Sequence, residues 1–274
     1  MKTVVITGSA RGLGFNLARF FREYGFNVVI SDLKEENLVK AKRNLMKTKY
    51  EGKVSYKTCD VTKLNELEEL LEFAVKKFKN VDIWINNAGV NQPQKAIWEL
   101  SKKEINTILD VDLKGCIYGS KVAMEYMSEN HSGAIYNIEG YGSNDAHMLG
   151  LNMYGTSKRA VTYFTESLAQ EAEIKNTGVI VGKLSPGIMI TDFTTHSLGD
   201  NAIELSEKTK KVYNILGDKP ETVAKFLVDR MIRNHKNGVK INWLTNGKAF
   251  VRFLTAGFNK KNFFEWDFKY KGGF

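Results

Sequence analysis

A chain of 274 residues, 43% hydrophobic and 26% charged, has the make-up of an ordinary globular protein and the length for one large domain. Its formal charge of +9 comes from lysines interleaved with acids, as in Lys34-Glu35-Glu36, so a solvated helical surface explains it and no nucleic-acid partner is expected. Two cysteines, Cys59 and Cys116, are too few for a disulfide framework; His131, His147, His196 and His235 lack ligand spacing, and no metal site is expected.

The elements alternate from the start. Residues 3–7 form a β-branched strand, followed by glycines and a helix with Leu13, Leu17, Phe20, Phe21 and Tyr24 on one face. Residues 27–31 make a second strand, and a polar helix runs to about residue 48. Strands are then predicted over 54–56, 81–85, 134–138, 179–184 and 239–244. The helices between them cover 65–78, 102–130 and 152–175, with another opening at Pro220. Apolar strands separated by helices imply a parallel sheet covered on both faces, an α/β doubly wound Rossmann fold. No stretch nears the roughly 18 apolar residues of a spanning helix. The first strand follows Met1 directly, so no leader and a cytoplasmic location are expected.

The first strand ends in Thr7-Gly8-Ser9-Ala10-Arg11-Gly12-Leu13-Gly14. Glycines between a strand and a helix let the backbone approach a pyrophosphate, which the helix N-terminus then holds. Asp32, at the end of the second strand, can accept hydrogen bonds from both adenosine ribose hydroxyls and repels a 2′-phosphate, which favours NAD(H) over NADP(H). Arg11 argues the other way, because it can reach such a phosphate.

Tyr154 and Lys158 stand four residues apart and share a helix face. An ammonium beside a phenol favours the phenolate, so the tyrosine pKa is expected to fall toward working pH. Such a tyrosine can give a proton to a carbonyl oxygen, or take one from an alcohol.

These residues, in this order, resemble the short-chain dehydrogenase/reductase family. Cys59-Asp60-Val61-Thr62 is similar to the family's adenine-contacting loop, and Asn86-Asn87-Ala88-Gly89 to its turn after the fourth strand. Tyr154-Gly155-Thr156-Ser157-Lys158 matches YxxxK. Ser185-Pro186-Gly187 with Thr191 resembles the segment that holds the nicotinamide carboxamide. The resemblance implies NAD(P)-dependent hydride transfer between nicotinamide and a carbonyl or alcohol. The implied cofactor contacts are Gly8, Ser9, Arg11, Gly12, Leu13, Gly14, Asp32, Asp60, Val61, Asn87, Ala88, Gly89, Tyr154, Lys158, Pro186, Gly187, Ile188 and Thr191. Two places depart from the pattern. Gly140 stands where the family usually has a carbonyl-polarising serine; Ser143 is expected to take that role, with Tyr141 as the alternative. Asp112 in Asp112-Leu113-Lys114-Gly115 replaces a usual asparagine. The segments around Trp84, Glu139 and Tyr154 resemble the branch containing chlorophyll(ide) b reductases, which turn a formyl group into hydroxymethyl. The alternative is a dinucleotide-binding sensor or scaffold with little turnover.

The catalytic domain is expected over residues 1–246, with residues 191–219 as a substrate lid carrying Phe193, His196, Leu198, Ile203 and Leu205. Residues 247–274 form an aromatic and basic extension. Phe250, Phe253, Leu254 and Phe258 fall on one helical face. Phe263, Phe264, Trp266, Phe268, Tyr270 and Phe274 follow, among Lys260, Lys261, Lys269 and Lys271. This extension is expected to pack on the domain or on a neighbouring subunit; docking on a membrane surface is the alternative. The resemblance also implies a homodimer or homotetramer paired through the helices over 102–130 and 152–175.

Overall fold

A strand can feed two cores at once when both faces of its sheet are covered. In the computed structural model, which describes residues 1–198, 201–202, 205–258 and 261–264, the strands do this residue by residue. Val4, Ile6, Val28, Ile30, Ile83, Ile85 and Tyr136 enter one core. Their neighbours Val5, Val29, Trp84 and Ile135 enter the other. The seven-stranded parallel sheet comprises β1 (Thr3–Ile6), β2 (Asn27–Asp32), β3 (Val54–Thr58), β4 (Ile83–Asn86), β5 (Gly133–Ile138), β6 (Val179–Ser185) and a last strand, Lys240–Asn242, which is β9 in chain order. The two-residue strands β7 (His196–Ser197) and β8 (Asn201–Ala202) form a separate antiparallel pair. The sheet order is β3-β2-β1-β4-β5-β6-β9, the doubly wound arrangement expected.

Helices α1 (Gly12–Glu23), α2 (Glu35–Met46) and α9 (Pro220–Ile232) pack on the first face. The second face is covered by α3 (Leu64–Phe78), α5 (Gly115–Glu129) and α6 (Asn152–Ile174). The single helix predicted over 102–130 is instead α4 (Lys102–Ile108), a π-helical turn (Leu109–Lys114) and α5. Such a turn widens the helix, and Asp112 is its buried residue. The lid contains the short α7 (Asp192–Thr195) and α8 (Glu207–Leu216).

Below the site, a chain of buried polar side chains ties the second face together. Trp84 Nε1 donates to Asn86 Oδ1 (2.8 Å), and Asn86 Nδ2 donates to Ser120 Oγ (2.9 Å) and Asn137 Oδ1 (2.8 Å). Asn137 Nδ2 donates to Thr165 Oγ1 (3.0 Å). Asn86 and Asn137 are register partners on β4 and β5, so one network fixes two strands, α5 and α6.

The extension begins with α10 (Asn246–Leu254), capped by Thr245, whose hydroxyl accepts from Lys248 N. Its polar side is the anchored one. Arg252 Nη1 reaches Asp218 Oδ2 and Leu216 O (both 2.7 Å), and the Lys248 ammonium lies 2.9 Å from the Trp243 ring centroid. Phe250, Phe253, Leu254 and Phe258, expected to pack on the domain or on another subunit, are exposed in the monomer because those inward bonds turn them out. Phe264 lies against Tyr213 of the lid, and Phe263 N donates to Asn214 Oδ1 (2.9 Å). Ile203, Lys260, Trp266, Phe268, Lys269, Tyr270, Lys271 and Phe274 lie outside the described residues. Among the described residues no helix is long and apolar enough to cross a membrane.

Replacing Asn137 with Ala takes a hydrogen-bond partner from each of Asn86 and Thr165 in a buried place. The expected loss is about 2–3 kcal/mol, read as a lower urea midpoint with an unchanged slope.

Candidate active site

In a doubly wound sheet the ligand crevice opens beyond the carboxyl ends of the strands, where the strand order reverses. Here that point lies between β1 and β4. The chain leaving β1 turns at Gly8 with φ +60°, and a Cβ there would come within 2.6 Å of Ala88 Cα. Only glycine lets this loop meet the turn after β4. Thr7 Oγ1 accepts from Asn87 N and Ala88 N (both 3.1 Å), and Asn87 Nδ2 donates to Thr7 O and Gly8 O (2.9 and 2.8 Å). Ser9 Oγ donates to Ile6 O (2.6 Å) and accepts from Ser31 N (3.0 Å). The side chains of Ser9 and Asn87 are therefore spent bracing the loop. What the loop can offer an anion is backbone: the N–H groups of Gly12, Leu13 and Gly14 in the first turn of α1, which have no partner four residues back.

Asp32 closes β2 with its carboxylate turned to the same loop, Oδ2 accepting from Ala10 N (3.4 Å) and Oδ1 from Leu33 N (2.9 Å). Arg11 is exposed next to it in sequence. Asp60 Oδ1 accepts from Thr62 N and Oγ1 (3.0 and 2.7 Å), and Val61 is buried against Gly115. At the far end, Pro186 is buried and Gly187 (φ +71°) abuts Leu244. Ile188 O accepts from Asp218 N (3.0 Å), and the Thr191 carbonyl accepts from Thr194 in the first turn of α7. Asp218 holds this end in place. Burial pushes its carboxyl up, but bonds from Arg252, Trp243 and Lys261 outweigh burial and keep it below its ordinary pKa.

Between these ends lie Tyr154 and Lys158, both buried on α6. The Lys158 ammonium sits 5.6 Å from the Tyr154 ring centroid and donates to Ile138 O (3.4 Å). Gly140 has a steric reason. A Cβ there would fall 2.9 Å from Tyr154 Cζ, 3.0 Å from Lys158 Cγ and closer still to the phenolic oxygen. The hydroxyl thus fills the space that a serine side chain would need. The Ser143 hydroxyl is turned to the backbone. Its Oγ accepts from Gly140 N and donates to Lys158 O (both 3.2 Å), pinning the loop to α6. Tyr141 is likewise engaged, donating to His147 O (2.9 Å).

Asp112 completes the pocket. Only 1% exposed, it accepts from Val90 N (2.7 Å) through Oδ1, while Oδ2 is buried with no hydrogen-bond partner among the described residues. Burial pushes its carboxyl up to about 6, against the pull of Lys158 and the Val90 N–H. The Tyr154 pKa is not lowered as expected. Burial raises it, and the Asp112 carboxylate and the Tyr213 phenol raise it further.

Three residues that sequence reasoning did not single out, Gln92, Asn91 and Tyr213, join Phe193 of the expected lid at the site. Gln92, fully buried, accepts from Tyr154 N through Oε1 (3.0 Å) and fixes the start of α6. Asn91 Nδ2 holds Phe193 O of the lid (2.7 Å), and the Phe193 ring lies 5.8 Å from that of Tyr154. Tyr213 arrives on α8. Phe193 was legible as a lid residue; Gln92, Asn91 and Tyr213 carried no spacing signal. Among the described residues no cluster of His, Cys, Asp or Glu could hold a metal.

Residues 2–201 match the short chain dehydrogenase family. The chain belongs to that family. This short-chain dehydrogenase is 32% identical over 280 residues to a probable chloroplastic chlorophyll(ide) b reductase of Arabidopsis thaliana, covering 96% of this chain and 55% of the relative. It thus spans about half the length of that protein. A second chloroplastic chlorophyll(ide) b reductase from the same plant is 32% identical, with 92% and 72% covered. A diacetyl reductase ((S)-acetoin forming) of Staphylococcus epidermidis is 32% identical over 192 residues, 70% of this chain and 72% of that one. Levodione reductase shares the fold with a TM-score of 0.78 at 20% identity, 90% and 98% being covered.

Two consequences of this geometry can be measured. Gly140→Ser is expected to cost about 1–3 kcal/mol by overpacking and to lower turnover, because the phenol must give way. Asp112 binds its proton more tightly folded than unfolded. Its contribution to stability is therefore present at acid pH and lost as pH rises through about 6. Asp112→Asn should raise the unfolding free energy by about 1–2 kcal/mol above neutrality, with the gain falling away below pH 6 and nearly gone below 3.8.

Proposed function

We propose that this short-chain dehydrogenase reduces a carbonyl to an alcohol with NAD(H), Tyr154 giving the proton. The observation that carries the reading is the buried Tyr154 phenol set against Gly140 with the Lys158 ammonium 5.6 Å from its ring, beyond the ends of β4 and β5.

The residues present suit a dinucleotide. The first turn of α1 would hold the pyrophosphate, Asp32 the adenosine ribose hydroxyls, Asp60 and Val61 the adenine side, and the segment from Pro186 to Thr191 the carboxamide. Bound there, a reduced nicotinamide supplies the hydride. Tyr154 donates its phenolic proton to the substrate oxygen, and Lys158 steadies the phenolate left behind. Phe193 and the lid exclude water from the exchange. With Ser143 turned to the backbone, Tyr154 itself supplies the hydrogen bond to the carbonyl.

A bulky apolar carbonyl compound, an aldehyde included, fits the mouth best. Tyr141, Met148 and Leu149 expose apolar surface on the loop between β5 and α6, and the 32% identical plant relatives bear the name of chlorophyll(ide) b reductases. We also place subunit pairing on the outer faces of α5 and α6, where Ile117, Met124, Phe164 and Leu168 line a shallow groove.

Tyr154→Phe is expected to lower kcat/KM on an aldehyde panel by about 10²–10⁴-fold while NADH affinity, read by fluorescence titration, stays the same. Unchanged turnover would refute the assignment. In the same titration NADH should bind at least about tenfold more tightly than NADPH, and Asp32→Ala should erase the difference. Tighter NADPH binding would hand cofactor selection to Arg11.

A further inference from the structure

A helix that carries its working side chain in the first turn needs the free N–H groups of that turn held, or the turn frays. α6 cannot do this for itself. Leu151 stands at its cap position with φ −125° and ψ 26° and offers no side-chain acceptor, where helices ordinarily place Ser, Thr, Asp or Asn. Tyr154 is the third residue of the helix, so its N–H is one that a cap would take. Gln92 takes it instead, from 62 residues away, Oε1 accepting from Tyr154 N (3.0 Å). The other end of the same amide, Nε2, donates to Asn152 Oδ1 (3.3 Å), which itself accepts from Met153 N (2.8 Å). The Gln92 side chain is fully buried, and no water competes for these bonds.

The residue before Gln92 holds the lid. Asn91 Nδ2 donates to Phe193 O (2.7 Å) on α7, and Asn91 O accepts from Leu198 N (3.2 Å) just past β7. The first part of the lid is thus fastened at two points to one residue. Phe193 sets its ring 5.8 Å from that of Tyr154. A Cβ added to Gly89 would lie 3.8 Å from both Phe193 Cε2 and Lys158 Nζ, so the same ring borders the catalytic lysine. From the other side, Gly150 (φ +78°), two residues before α6, lets the chain press on this segment: a Cβ there would meet Gln94 Cα and C at 3.1 Å. The stretch after β4 is therefore gripped by the lid and by the approach to the catalytic helix.

We propose that Asn91 and Gln92 form one clamp. Gln92 is a positioning residue that caps the catalytic helix from outside it, and Asn91 ties Phe193 of the lid to the same backbone, so that lid and phenol take their places together. The inference rests on the carbonyl-reductase reading and deepens it; neither residue gives or takes a proton in the reaction. The Tyr154 hydroxyl fits the site only in the gap that Gly140 leaves. A first turn that moves by about an ångström takes it out of line with a substrate oxygen, and misplacement on that scale costs about 10²-fold in rate. An apolar residue in place of Gln92 would also leave the Tyr154 N–H buried and unpaired.

The test uses the full chain. Gln92→Met fills the space without an acceptor, and on the aldehyde panel its kcat should fall at least about tenfold while NADH affinity, read by fluorescence titration, stays within about twofold. Gln92→Leu carries the same expectation, so the result does not depend on one variant folding. Gln92→Glu keeps an acceptor, and the positive end of the helix favours its carboxylate, so kcat should return to within about threefold of wild type. Amide hydrogen exchange in the variants without an acceptor should quicken at least about tenfold over residues 152–156 and stay unchanged over 162–174. Asn91→Ala should raise the aldehyde KM, and its loss of kcat/KM should combine with that of Gln92→Met to less than their product. Unchanged kcat without the acceptor, a loss matched by weaker NADH binding, or a Gln92→Glu variant as slow as Gln92→Met overturns the cap. Losses that multiply in full overturn the link to the lid. Failure of the carbonyl-reductase reading would show separately, as unchanged turnover in Tyr154→Phe with the exchange difference intact.

Discussion

The contact between Asn86 and Asn137 carries the architecture of the site. Two amides on paired strands, each satisfied inside the protein, lock β4 to β5 and reach α5 through Ser120 and α6 through Thr165. A buried polar network of this kind stabilises one arrangement and penalises every near alternative, because a one-residue slip orphans several donors at once. Directly above it lie the turn that meets Gly8 and the loop that meets Tyr154. The positions of both follow from this pair of asparagines.

Above that base, the site is organised by close approach. Gly8 lets two loops touch, and Gly140 gives the Tyr154 hydroxyl its room. The absent serine is thus no simple loss, since the phenol occupies its space and the Ser143 hydroxyl ties Gly140 to α6. Asp112 is the second departure from the family pattern, and it changes the charge in the pocket without changing its shape. Both concern how the phenol holds its proton.

Periodicity exposed most of the fold. Strands with apolar residues at every position read as buried on both faces, and the structure divides them between two cores by alternate residues. Element ends shifted by a residue or two, as hydrogen bonds rather than side-chain pattern decide them. The π turn was illegible because its residues, Leu109 to Lys114, keep ordinary helical chemistry; tertiary packing against α6 selects it. In the site, Tyr154, Lys158, Asp32 and the glycines announced themselves by spacing. Gln92 and Tyr213 did not, since each reaches the pocket from a segment whose path is set by contacts far away in sequence. The outward turn of Phe250, Phe253 and Leu254 was hidden for the same reason: Arg252 finds Asp218 only once the sheet has formed.

Asp218 gives the end of the chain a second meaning. Its carboxylate receives Arg252 and Lys261 from the extension and Trp243 from the edge of the sheet, while its own backbone bonds to Ile188 and Ile190. The extension is therefore a brace on the segment from Pro186 to Thr191 at the edge of the site. Trimming the protein back to its sheet would strip a buried anion of two cations at one stroke and slacken that edge of the site.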